Sequence, residues 1–174
     1  MNTYISILRG INVSGQKKIK MADLKKLYES LGFENVETHI QSGNVVFTSP
    51  EKDPKKLEQL IFNGIQKAYG FDVPNLILTP QEIEDALKHN PYQDIELMYF
   101  TFLEEFPAPE NIDKLSTYQF PEEYYELKGK VIYSHFPNGA GRAKMNNNFF
   151  EQKLKVMATS RNLNTVKKLL EMAQ

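Results

Sequence analysis

The chain has 174 residues, 41% hydrophobic and 25% charged, with a net charge of −1, an ordinary globular balance that excludes bulk disorder, collagen and a coiled coil. It contains no cysteine, which excludes disulfides, thiolate nucleophiles and Cys-based zinc sites. Its apolar runs are far shorter than a membrane span and its first residues lack the parts of a signal peptide, so a soluble, cytoplasmic protein with no membrane partner is expected.

Residues 4–8 are apolar and β-prone and predict a strand. Residues 10–20 are polar, with Gly15 and three lysines, and predict a long loop. Leu24, Leu27, Tyr28 and Leu31 recur at helical spacing, and Gly32 is a natural stop. Val36, Thr38 and Ile40 alternate with Glu37, His39 and Gln41 in a strand over 36–41; Ser42-Gly43 makes a tight turn and 44–48 returns as a hairpin. Pro54 opens a helix carrying Leu57, Leu60, Ile61, Ile65, Ala68 and Tyr69, closed by Gly70. A short strand over 75–78 follows. Strand, helix, strand, strand, helix, strand is the split βαβ order of ferredoxin-like domains.

The pattern partly recurs. A connecting helix spans 80–89, a strand 96–103 and a short helix 109–116. Strands over 124–128 and 131–135 flank Gly129 as a second hairpin, and helices cover 149–156 and 163–173. The second half thus reads strand, helix, strand, strand, helix, helix. The predicted fold class is α+β: two ferredoxin-like halves, 1–79 and 80–174, closely packed, with an additional C-terminal helix and a boundary near Thr79-Pro80.

The near-zero net charge hides an asymmetry. Residues 1–28 carry six basic and one acidic residue, 141–174 seven and two, and 29–140 eight and nineteen. Basic ends either converge on an anion or pack against the acidic middle as solvated faces. Only three arginines stand among 18 lysines, and Arg9, Arg142 and Arg161 all lie beside loop chemistry. A guanidinium fork suits a carboxylate or phosphate.

Four motifs carry polar chemistry. Leu8 to Gly15 leaves a strand end, where ligands often bind in α/β sheets, and offers Arg9 and Asn12 as directed donors. It matches neither a P-loop nor a dinucleotide fingerprint, so no cofactor is expected. Gln41, Ser42 and Asn44 surround the first hairpin tip, where small polar residues also serve any tight turn. Ser160, Arg161 and Asn162 run into the last predicted helix; Asn162 suits an N-cap, and a helix N-terminus attracts anions. Gly139 to Lys144 is a basic turn in which a lone Gly-x-Gly carries little. His39, His89 and His135 lack metal-ligand spacing, the pairs Glu104-Glu105 and Glu122-Glu123 read as solvated strand ends, and no serine shows evident triad partners.

The same motifs resemble the bacterial conserved-hypothetical family called domain of unknown function 1697. Leu8 to Gly15, with Lys17, Lys18, Lys20 and Met21 after it, is similar to the family's opening L-R-G-I-N-V-G-G and basic stretch. Ile40 to Phe47 resembles its I-Q-S-G-N-V-V-F, and Thr159 to Val166 its T-[TS]-R-N-W-N-T-V. Ser14 replaces a glycine of the pattern, and Leu163 its tryptophan. The resemblance implies a duplicated ferredoxin-like α+β protein and transfers no reaction. It also implies that Arg9, Asn12, Gln41, Ser42, Asn44, Arg161 and Asn162 belong to a family signature.

The expected function is binding of a small anionic ligand, phosphorylated or carboxylated. Arg9 and Arg161 would contact it, and Asn12, Gln41, Ser42, Asn44, Ser160 and Asn162 would line or orient it. One alternative is RNA or single-stranded nucleic acid, known on ferredoxin-like sheets but poorly matched by the charge balance. Another is an enzyme on an anionic substrate, for which no reaction can be named. Oligomeric state leaves no mark in the sequence.

Overall fold

β1 (Asn2–Leu8) realises the first apolar run, and every residue from Tyr4 to Leu8 is buried. The computed structural model describes all 174 residues, which divide into two compact units: Met1–Asp85 with Lys168–Gln174, and Ala86–Lys167. In the first unit β1 is followed by α1 (Met21–Ser30), β2 (Glu34–Thr38), β3 (Asn44–Ser49), α2 (Pro54–Tyr69) and β4 (Asn75–Leu78). The strands form an antiparallel sheet in the order β2-β3-β1-β4. α2 is bounded as its sequence requires: Asp53 accepts a hydrogen bond from Lys55 N at 3.0 Å, Pro54 takes the first turn, and Gly70 closes in the left-handed region at φ 78°.

Leu24 and Tyr28 of α1 and Leu57, Ile61 and Ile65 of α2 pack with Tyr4, Leu8, Val45, Phe47 and Ile77 of the sheet into one core. Full burial of such side chains is worth roughly 1.5–3 kcal/mol each. Phe33 stacks on Phe47 with centroids 4.4 Å apart, and the buried Tyr28 hydroxyl meets Ser6 Oγ at 2.7 Å, so its polar end is not stranded.

α3 (Pro80–Lys88) spans the change of unit. The second unit then runs β5 (Met98–Leu103), α4 (Pro109–Ser116), β6 (Tyr124–Lys128), β7 (Val131–His135), a 3-10 turn (Ala140–Arg142), α5 (Asn147–Leu154) and β8 (Ala158–Asn162), and α6 (Leu163–Met172) begins directly from β8. Its sheet order is β6-β7-β5-β8, again antiparallel. Position for position this repeats the first sheet, so the fold is α+β with duplicated ferredoxin-like halves and an extra C-terminal helix.

One strand was absent from the sequence-based expectation. β8 makes the second half βαββαβ, where the sequence predicted βαββα. Its residues Thr159, Ser160, Arg161 and Asn162 lack the apolar signature of a strand. The hydroxyls of Thr101 and Ser160, paired across β5 and β8, meet at 2.7 Å and satisfy each other, so a polar strand pairs without apolar alternation. No helix is long and apolar enough to cross a membrane.

Candidate anion-binding cleft of the first unit

β1 ends at Leu8, and the chain leaves it through Arg9 and Gly10 into the loop leading to α1. Five residues of that loop adopt left-handed backbone: Gly10, Asn12 (φ 55°), Ser14 (φ 51°), Gly15 and Lys17 (φ 46°). Each non-glycine among them costs about 1–2 kcal/mol, so the surroundings must over-determine the shape. Asn12 supplies that constraint. Its Nδ2 donates to Ile19 O at 3.0 Å and to Gln41 O at 2.8 Å, and its Oδ1 accepts from Ile19 N at 2.9 Å. One side chain thereby closes the loop on itself and clasps it to the 40–43 turn. Lys17 Nζ donates to Asp72 O and ties the loop to the connection between α2 and β4.

The turn is fixed from below. Leu8 N donates to Gly43 O at 2.8 Å. Asn44 is fully buried, and its Nδ2 donates to His39 O at 2.9 Å and Ser42 Oγ at 2.8 Å. Loop, turn and helices border an open cleft of about 610 Å³ lined by Asn12, Gly15, Lys18, Ile19, Lys20, Asp23, Gln41 and Tyr69. Lys17 is committed to a carbonyl, whereas the side chains of Lys18, Lys20 and Asp23 form no hydrogen bond or ion pair within the protein.

Lys20 is the N-cap of α1, and no side chain caps that helix end. A helix start ordinarily carries Ser, Thr, Asp or Asn, and a cation there opposes the helix dipole. The cleft therefore concentrates positive potential, tempered by the single carboxylate of Asp23 in the first turn.

Of the residues singled out from sequence, Asn12 and Gln41 line this cleft, while Ser42 and Asn44 are bonded to each other in the turn beneath. Arg9 is half-buried at the end of β1, its backbone N–H donating to Pro74 O at 2.8 Å, and does not line the cleft. Ser160, Arg161 and Asn162 sit in the second unit on β8 instead of a loop. Ser160 Oγ donates to Asn147 Oδ1 at 2.8 Å. Arg161 is 8% exposed, and its Nη1 donates to Thr159 Oγ1 at 2.9 Å and Ser160 O at 2.8 Å. Burial pulls its guanidinium down to about 9, still charged at neutral pH. Asn162 Oδ1 accepts from Thr165 N at 2.8 Å and caps α6.

Sequence reasoning counted Lys18 and Lys20 as a basic stretch and Tyr69 as helical core, and did not connect Asp23 with them. A lysine standing where an N-cap acceptor belongs was the available signal. Glu123 also differs from its expected role as a solvated strand end: Lys144 N donates to both its carboxylate oxygens and Met145 N to Oε1, each at 2.9 Å, so it anchors the loop before α5. It lines a second cavity of about 410 Å³ among Tyr118, Phe120, Tyr124 and Tyr125. No three His, Asp or Glu side chains gather into a metal-binding set.

A solved structure titled as a conserved bacterial protein of Streptococcus pneumoniae is similar over 99% of this chain and 98% of its own, with a TM-score of 0.76 and 24% identity. At that identity the likeness speaks for the fold alone. No curated protein matches the chain. The family model described as a protein of unknown function, DUF1697, matches residues 1–133, a stretch that contains the loop, the turn and every residue of the cleft. The chain belongs to the DUF1697 family.

Proposed function

We propose that this protein binds a small anionic ligand, phosphorylated or carboxylated, in the cleft of its first unit, as a cytoplasmic binding protein. The observation that carries the reading is the pair Lys18 and Lys20, both uncommitted, at the uncapped N-terminus of α1. The ammonium groups supply mobile charge and the first-turn N–H groups supply fixed donors. Gln41, exposed at the rim, adds a side-chain amide, and Asn12 holds the loop in shape without touching the ligand. Arg161 and Asn162 already serve β8 and the α6 cap, so the reading rests on the lysines. Stacking of single-stranded nucleic acid on the sheets has less support, because the strand aromatics Tyr4, Phe47, Phe100, Phe102 and Tyr133 are buried and only Tyr124, on the edge strand β6, is exposed.

Calorimetric titration at low ionic strength, where charge pairing is least screened, tests the reading with inorganic phosphate, pyrophosphate, sugar phosphates and dicarboxylates. At least one is expected to bind below millimolar, and the double variant Lys18→Ala, Lys20→Ala to weaken it about tenfold or more, equivalent to about 1.4 kcal/mol. The reading fails if none binds, or if the double variant binds like the parent protein.

A further inference from the structure

Lysines explain an anion; they do not explain Asp23 or Tyr69. A carboxylate in the same cleft opposes a bare phosphate or a dicarboxylate, since like charges within reach repel. It favours a ligand that also brings hydrogen-bond donors, such as vicinal hydroxyls or an exocyclic amine. Tyr69, the last residue of α2, stacks on Phe71 with centroids 5.6 Å apart and planes 25° from parallel. Phe71 and the hydrophobic core together hold this half-buried ring in place where it lines the cleft. A ring so held loses little freedom when a second flat group lies against it. The lining residues Asn12 and Gln41 also have exposed aliphatic neighbours, Val13 at 57% and Ile40 at 49%. The volume of about 610 Å³ lies within the usual range of small-molecule sites, roughly 300–1,000 Å³, and a lone phosphate would leave most of it empty.

We infer that the ligand is a free nucleoside monophosphate, a proposal that rests on the anion cleft and assigns the rest of its lining. The phosphate meets Lys18 and Lys20, the base lies along Tyr69, and Asp23 accepts from ribose hydroxyls or a base amine. The ring supplies preference among phosphates, and the lysines supply attraction common to all of them.

Calorimetry on the full chain with the four ribonucleoside monophosphates, ribose 5-phosphate and inorganic phosphate tests this. At least one nucleotide is expected to bind about tenfold or more tightly than ribose 5-phosphate. Tyr69→Leu is expected to erase that preference, weakening the nucleotide about tenfold and ribose 5-phosphate far less. Tyr69→Phe, which keeps the stack, is expected to retain the preference and guards against simple misfolding. If ribose 5-phosphate binds as tightly as every nucleotide and still depends on the lysines, the nucleotide assignment is overturned and the anion reading survives. If no phosphate binds, both fall. If oligoribonucleotides bind more tightly with each added residue and weaken steeply with salt, a free mononucleotide is the wrong ligand.

Discussion

Gly43 shows how closely the turn, β1 and the loop after it are fitted together. Its backbone lies at φ 85°, and a Cβ there would stand 2.7 Å from Leu8 Cβ and 2.8 Å from Ile11 Cδ1. Both neighbours are buried core side chains, so neither can swing aside. Gly43→Ala combines left-handed strain with overpacking and is expected to destabilise the protein by about 2–4 kcal/mol, read as a lower urea midpoint with an unchanged slope. Gly43 and Asn12 illustrate what single residues disclose. The sequence marks Gly43 as an ordinary turn residue, and the polarity of Asn12 suggests a ligand contact. Its three side-chain hydrogen bonds go instead to backbone groups of Ile19 and Gln41. Polar side chains at loop ends serve either role, and only the partner atoms separate them.

Among elements, those with strong periodicity or sharp punctuation matched the structure most closely. α2, with proline at its start and glycine after its end, falls at its predicted bounds, as do β4, α4, β6 and β7. β2 lies earlier than predicted, at Glu34–Thr38: Ile40 adopts left-handed backbone at φ 53°, which takes it out of the strand, and the register with β3 shifts between Glu34 and Glu37. β8 was illegible because its stabilisation is not local: backbone pairing with β5 and the Thr101–Ser160 hydroxyl contact join residues 59 apart in sequence. Its junction with α6 is abrupt, and Asn162 serves as both the last strand residue and the cap. Asn162→Ala is expected to cost about 1 kcal/mol, while Asn162→Asp retains the acceptor and most of the stability; thermal melting of the two variants separates capping from strand pairing. The cleft was legible only in part. The loop announced its lysines, but Tyr69 sits at helical spacing with core residues, and its place beside Lys18 depends on how the unit folds.

On the scale of the whole molecule, both units carry buried tyrosines that make stability sensitive to alkali. Burial raises the phenol of Tyr28 above the ordinary range and pushes that of Tyr133 up to about 12, with Glu126 nearby adding to the rise. In the unfolded chain these groups lose their protons near pH 10. Above that point the unfolded state sheds protons that the folded state keeps, so their contribution is intact below pH 10 and declines as pH rises through about 12. Urea melts between pH 8 and 12 are expected to show the decline. Tyr133→Phe is expected to be less stable at neutral pH, through loss of the 2.8 Å bond to Ala86 O, yet to lose less on going from pH 10 to 12; an equally steep decline would refute the assignment.

The partition of α6 has a consequence for biosynthesis. Residues 163–167 group with the second unit and 168–174 with the first, so the half made first on the ribosome is the half completed last. Vectorial synthesis ordinarily lets an N-terminal domain finish before the next emerges. Here the nascent first unit waits for its closing segment, which includes the wholly buried Leu169, until the second has been translated. The first unit is therefore complete only after residues 168–174 have left the exit tunnel.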